Sequence, residues 1–318
     1  MSDLEIVFAG SPAAAVPSLQ ALTASRHEVL AVLTREDSPR GRKRVLTQTA
    51  VADAADELVL PTIKANRLAG AATEQLVALQ PDLGVIVAYG GLVREPLLSA
   101  PRLGWINLHF SLVPRWRGAA PVQRAIIAGD GVTGASVFQL VPELDAGDVF
   151  GHLTQSIGAR ETSGHLLDSL ALSGAELLVR VVDTMADGAA RAIPQAGDVT
   201  LAPKLTIDDG HIDFTAHAST VDSLIRGVTP EPGAFTMIDG QRIKVIEAVL
   251  SRDTAALAPG AVALQDRRVL VGTATDPIEL LVVQPAGKMA MKAADWWRGR
   301  PSGAAGLSDV SGERVVAS

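Results

Sequence analysis

The stretch Gly104-Trp-Ile-Asn-Leu-His-Phe-Ser-Leu-Val-Pro-Arg-Trp-Arg-Gly-Ala-Ala-Pro121 begins as a buried strand and then departs from that pattern. Side chains alternate across a strand, so Ile106, Leu108 and Phe110 share one face and Trp105, Asn107 and His109 the other. A central parallel strand is covered on both sides and reads apolar throughout. An amide beside an imidazole at its C-terminal end therefore needs a reason. In open α/β sheets ligands sit beyond the carboxyl ends of the strands. Two residues apart, Asn107 and His109 can meet one small group there. Left unpaired in a dry site, each would cost about 2–3 kcal/mol. The competing reading is that backbone or water satisfies both. Ser111, Leu112, Val113 and Pro114 then turn the chain off the sheet, and a helix is expected over 122–128.

Outward from this strand, the first half alternates strand-like and helix-like segments. Residues 4–9 are apolar and stop at Gly10-Ser-Pro12, with an amphipathic stretch to about 25. Residues 28–34 and 82–89 read as further strands and 47–58 as a helix. Such β-α-β alternation predicts an α/β fold, a Rossmann-like, doubly wound, mostly parallel sheet. Residues 133–141 and 148–157 flank the turn-rich Pro142-Glu-Leu-Asp-Ala-Gly147, which suggests an antiparallel extension. Leu166, Leu170, Leu177, Val181 and Met185 recur at helical spacing within a helix over 162–187. Beyond Gly188 the composition is that of a linker. From about 208 a helix over 220–226 and short strands near 234–238, 242–250, 260–264, 268–273 and 278–284 suggest a small OB-like barrel. The expected domains are 1–188, a linker over 189–207, and 208–318, with a loosely ordered tail from 298.

Composition limits the chemistry. With 47% apolar and 20% charged residues the chain is globular. It has no cysteine, which excludes disulfides, thiolate metal sites and a cysteine nucleophile. His109, His152, His165, His211 and His217 lack metal-ligand spacing, so no metal is expected. No secretory signal or membrane span is visible, and a cytoplasmic protein is expected. A net charge of −7 argues against a general nucleic-acid coat. One local run, Arg35-Glu-Asp-Ser-Pro-Arg-Gly-Arg-Lys-Arg44, is strongly basic, which by itself is most simply a solvated loop. Neither the dinucleotide Gly-x-Gly-x-x-Gly nor a P-loop is present.

An Asn, a His and an Asp brought together would suit acyl transfer to an amine. The developing oxyanion needs N–H donors, and the attacking amine must lose a proton to a carboxylate. Asp145, in Leu144-Asp-Ala-Gly-Asp148, is a candidate, although an Asp at a turn is most often a turn residue.

Ala9-Gly-Ser-Pro12, Val87-Ala-Tyr-Gly90, Asn107-Leu-His109, Ser111-Leu-Val-Pro-Arg-Trp-Arg-Gly-Ala-Ala-Pro121, Leu144-Asp-Ala-Gly-Asp148 and Gln284-Pro-Ala-Gly-Lys288 occur in this order. Together they resemble the folate-dependent formyltransferases, over nearly the whole chain. The Pro-Arg-Trp-Arg-Gly-Ala-Ala-Pro run and the late Gln-Pro-Ala-Gly-Lys point to the branch that acts on tRNA. The resemblance implies 10-formyltetrahydrofolate as cosubstrate and the α-amino group of methionyl-initiator tRNA as acceptor. It makes Asn107, His109 and Asp145 the catalytic trio. Ser111, Leu112, Val113 and Pro114 would line the folate site, with Val87, Tyr89 and Gly90 as another wall. Arg40, Arg42, Lys43 and Arg44 would meet the acceptor stem, and the second domain would add tRNA backbone contacts. A monomer is expected. The chain differs from the family's usual pattern at Lys43 and Phe110, where Gly is common, and at Met289, where Lys is common. Three rivals stay open: formylation of a small amine, hydrolysis of formyl-folate, and RNA binding without catalysis.

Overall fold

The computed structural model describes residues 3–41, 44–238, 240–300 and 307–308, with only the backbone of Arg40, Leu307 and Ser308. Two compact units result: Met1–Pro121 with Val132–Ser156 and Leu167–Pro203, and Val122–Gly131 with Ile157–Leu166 and Lys204–Ser318.

The first unit is built on a seven-stranded sheet. In chain order its strands are β1 (Glu5–Gly10), β2 (Glu28–Thr34), β3 (Thr62–Lys64), β4 (Leu83–Val87), β5 (Trp105–His109), β6 (Val132–Gln139) and β7 (Val149–Ser156). In space they run β7-β6-β5-β4-β1-β2-β3. The first five in sequence pair in parallel, while β6 is antiparallel to both β5 and β7. The strand order reverses between β1 and β4, the position at which doubly wound sheets bind ligands. The helices α1 (Val16–Thr23), α2 (Ala50–Glu57) and α3 (Ala71–Ala78) follow β1, β2 and β3. The helix α2 starts at Ala50, later than the expected 47, because the Thr49 hydroxyl caps it by accepting from Ala52 N–H at 3.0 Å.

The period-two reading of β5 holds on both faces. Trp105 is fully buried among Val7, Leu33, Ile86 and Leu97, and its indole N–H donates to Leu97 O at 2.8 Å. On the other face Leu108 and Phe110 lie under Gly174 of the helix Ser163–Ala186, where an added Cβ would stand 3.2 Å from Leu108. Neighbouring β4 must make room for the indole. A Cβ on Gly84 would fall 2.1 Å from the Trp105 ring. Gly84→Ala is therefore expected to cost about 2–3 kcal/mol through overpacking, read as a lowered thermal unfolding midpoint.

The second unit carries an antiparallel sheet of β8 (Ala234–Ile238), β9 (Gln241–Leu250), β10 (Val262–Gln265), β11 (Arg268–Val271) and β12 (Ile278–Pro285). Their order is β10-β11-β12-β9-β8, and residues 307–308 pair with β8 at the edge. Two register shifts within β9 against β12, around Glu247, bend this sheet as bulges do and give it the curl of a half-barrel. The helix Ala218–Gly227 packs Val221 and Ile225 into the same core as Ile243, Val245 and Trp296. Of the tail expected to be loose, 301–306 and 309–318 lie outside the described residues. Among the described residues no helix is long and apolar enough to cross a membrane.

Candidate active site

The C-terminal ends of β1, β4 and β5 meet at the strand-order reversal. Asn107 is half-buried; its backbone belongs to the sheet ladder, and its side-chain amide has no hydrogen-bond partner among the described residues. His109, 7% exposed, is held firmly: its Nε2 lies 2.9 Å from Trp116 O. A carbonyl only accepts, so Nε2 carries the hydrogen and donates it. The other ring nitrogen, Nδ1, faces Asp145 Oδ2 at 3.8 Å, too long for a hydrogen bond but close enough for the carboxylate to act on the ring electrostatically. Of the two oxyanion donors expected from the sequence, Asn107 is thus the one left uncommitted.

Asp145 is brought here from the turn between β6 and β7, with its side chain 13% exposed. Its Oδ2 accepts from Gly118 N–H at 2.8 Å, and no described residue bonds its other oxygen. The residue is left-handed, φ 46°, a conformation that costs a non-glycine roughly 1–2 kcal/mol. Next to it, Gly147 passes so close to β6 that a Cβ would lie 1.7 Å from Gln139 O. The turn is held by the Gln195 side-chain amide, which donates to Asp145 O and Gly147 O, both at 2.8 Å.

The loop after β5 is fixed by its own hydroxyls. Ser111, fully buried, donates to Arg115 O at 2.7 Å, and its carbonyl accepts from Ser136 Oγ at 2.7 Å. Leu112 and Val113 are half-buried, and Pro114 is buried. Trp116 is left-handed, φ 61°, and its N–H donates to Thr200 Oγ1 at 2.9 Å. Arg117 N–H donates to Thr200 O at 2.9 Å, and Arg117–Gly118 pairs with Leu201–Ala202 in a short parallel bridge. The segment whose composition reads as linker therefore lies along the loop that holds Asp145.

Val87, the last residue of β4, is buried, as is the Tyr89 side chain beyond it. The phenol donates to Ala65 O at 2.6 Å, and burial pushes its pKa above the ordinary value. The ring is a pin between chain segments, so a ligand at this wall meets backbone. Ala88 and Gly90 are both left-handed there, and Gly90 O accepts from Arg35 Nη1 at 2.8 Å.

The basic run forms a small hairpin, Ser38–Arg40 with Val45–Thr47. Arg42 and Lys43 lie outside the described residues, as does the side chain of Arg40; Arg44 is exposed. The two acids of the run are engaged at its base. Glu36 accepts from Asn66 at 2.7 Å, and Asp37 pairs with Lys64 at 2.7 Å. Lys64 balances the charge of Asp37, whereas Glu36 is bonded to a neutral amide and keeps its charge.

Sequence reasoning missed Gln195 and Thr200. Their partners lie 50 and 84 positions away, and nothing in the local pattern marks either residue. Among the described residues no cluster of three or more His, Asp or Glu side chains could hold a metal ion.

The family model described as formyl transferase matches residues 4–182, and the formyl transferase C-terminal domain matches 204–301. The methionyl-tRNA formyltransferase of Clavibacter sepedonicus is 60% identical over 296 residues, covering 93% of this chain and 97% of that protein. The methionyl-tRNA formyltransferase of Leifsonia xyli is 61% identical over the same shares. Among solved structures, an N-formyltransferase from Helicobacter canadensis, in complex with folinic acid and dTDP-3-aminofucose, superposes with a TM-score of 0.67. It is 15% identical and covers 88% of this chain and 98% of that one.

Proposed function

The chain belongs to the formyl transferase family, and from that premise we infer that it transfers a formyl group from 10-formyltetrahydrofolate to the α-amino group of methionyl-initiator tRNA. The observation that carries the chemistry is the Asp145 carboxylate held on Gly118 N–H, 3.8 Å from His109 Nδ1, beside the uncommitted Asn107 amide.

In this reading the amine nitrogen attacks the formyl carbon, and the carbonyl electrons move onto oxygen. Asn107 donates to that oxyanion. His109, held with Nε2–H on Trp116 O and Nδ1 facing Asp145, lines the site beside it. Asp145 takes the amine's proton, directly or through water, and the proton ends on folate N10 as the bond from carbon to N10 breaks. No covalent enzyme intermediate is needed. Ser111, Leu112, Val113 and Pro114, with the backbone of Val87, Tyr89 and Gly90, border the folate. Asp145 and its supports belong to a catalytic domain reaching Pro203, and the curled second sheet with Arg40, Arg42, Lys43 and Arg44 serves the tRNA. The reaction is assigned to the cytoplasm and to a monomer, which sedimentation velocity checks.

Labelled 10-formyltetrahydrofolate, offered together with methionyl-tRNA, free methionine and glycinamide ribonucleotide, tests the reading. Label should appear on tRNA-bound methionine alone. Label on the ribonucleotide would mean a small-amine enzyme, and formate released without an amine would mean a hydrolase. The double variant Arg42→Ala with Lys43→Ala is expected to raise KM for methionyl-tRNA about tenfold and weaken its salt dependence, with the folate KM unchanged. An unchanged tRNA KM would remove the loop from the interface.

A further inference from the structure

The Gln195 side chain grips both the turn carrying Asp145 and the loop carrying its hydrogen-bond donor. Its Nε2 reaches Asp145 O and Gly147 O, both at 2.8 Å, and its Oε1 accepts from Arg117 Nη2 at 2.7 Å and Nε at 3.2 Å. The amide orientation follows from chemistry. The two carbonyls can only accept and the guanidinium can only donate, so nitrogen must face the turn and oxygen must face Arg117. Arg117 adjoins Gly118, whose N–H holds the Asp145 carboxylate at 2.8 Å. Asp145 itself sits at φ 46°, which persists only where its surroundings over-determine it.

We propose that Gln195 is a positioning residue for formyl transfer, locking the Asp145 turn to the Arg117–Gly118 loop so that the carboxylate stays in register with His109 and the amine. The proposal rests on the reading of Asp145 above. Glutamate at 195 has the same size but presents a second acceptor oxygen to two carbonyls. Alanine removes all four contacts. Either change frees the turn to relax from its left-handed conformation, and displacement of a reacting group by about 1 Å costs on the order of 100-fold in rate.

The test is a double-mutant cycle in single-turnover formyl transfer, using Gln195→Glu and Gln195→Ala, each alone and combined with Asp145→Asn. In the otherwise unchanged enzyme each Gln195 variant should lower the rate about 30- to 100-fold, with both substrate KM values within about threefold. On the Asp145→Asn background the same changes should cost less than about threefold, because the group they position is already gone. An equal loss on both backgrounds would mean general structural damage and overturn the proposal, as would a change confined to KM. Gln195→Glu, which keeps the volume, guards against a variant that fails to fold. If Asp145→Asn were itself fully active, the reading of Asp145 would fall first, which separates that failure from this one.

Discussion

Asp145→Asn is expected to lower kcat for formyl transfer by about 1,000-fold, equivalent to roughly 4 kcal/mol of transition-state stabilisation. The asparagine oxygen can still accept from Gly118 N–H, so the 2.8 Å hydrogen bond and the left-handed turn survive the exchange. What disappears is the negative charge 3.8 Å from His109 Nδ1 and the ability to take a proton from the amine. The loss should therefore fall on kcat, with folate and tRNA KM values nearly unchanged and an unaltered circular dichroism spectrum. A variant retaining more than a tenth of the parent rate would show that water or another group accepts the proton.

Asn107→Ala is expected to lower single-turnover formyl transfer by about 100- to 1,000-fold, the usual effect of deleting one oxyanion donor. The amide has no partner among the described residues, so removing it leaves no buried group orphaned. The free energy of unfolding should change by less than about 1 kcal/mol, which separates this position from Gly84. Asn107→Asp, with an acceptor where a donor is needed, should be at least as slow. An effect on substrate binding with unimpaired chemistry would assign Asn107 to the ground-state complex.

Much of this arrangement is legible in the sequence because side-chain alternation and apolar burial act locally. The face of β5 that begins with Trp105 and ends with His109 can be read from six residues, and the antiparallel pair β6–β7 from the turn between them. The three-residue strand Thr62–Lys64 cannot, since so short a run carries no period. Asn107 and His109 declare themselves as polar residues on a buried strand. Asp145 does not, because an Asp in a turn is commonplace and its approach to His109 depends on a left-handed backbone held by a residue 50 positions away. Tyr89 was legible at a strand end, but no local rule shows that its hydroxyl turns inward to Ala65.

The strip between the two family matches, residues 183–203, also constrains how the molecule can be dissected. Composition invites a cut after Gly188, and such a cut would part the catalytic fragment from Gln195, Thr200 and the Leu201–Ala202 bridge. A minimal N-terminal fragment should instead run through Pro203. The same reasoning bars insertions and affinity tags from this strip, however loop-like it reads: an added residue there would slide a hydrogen-bonded brace out of step with the carboxylate it serves.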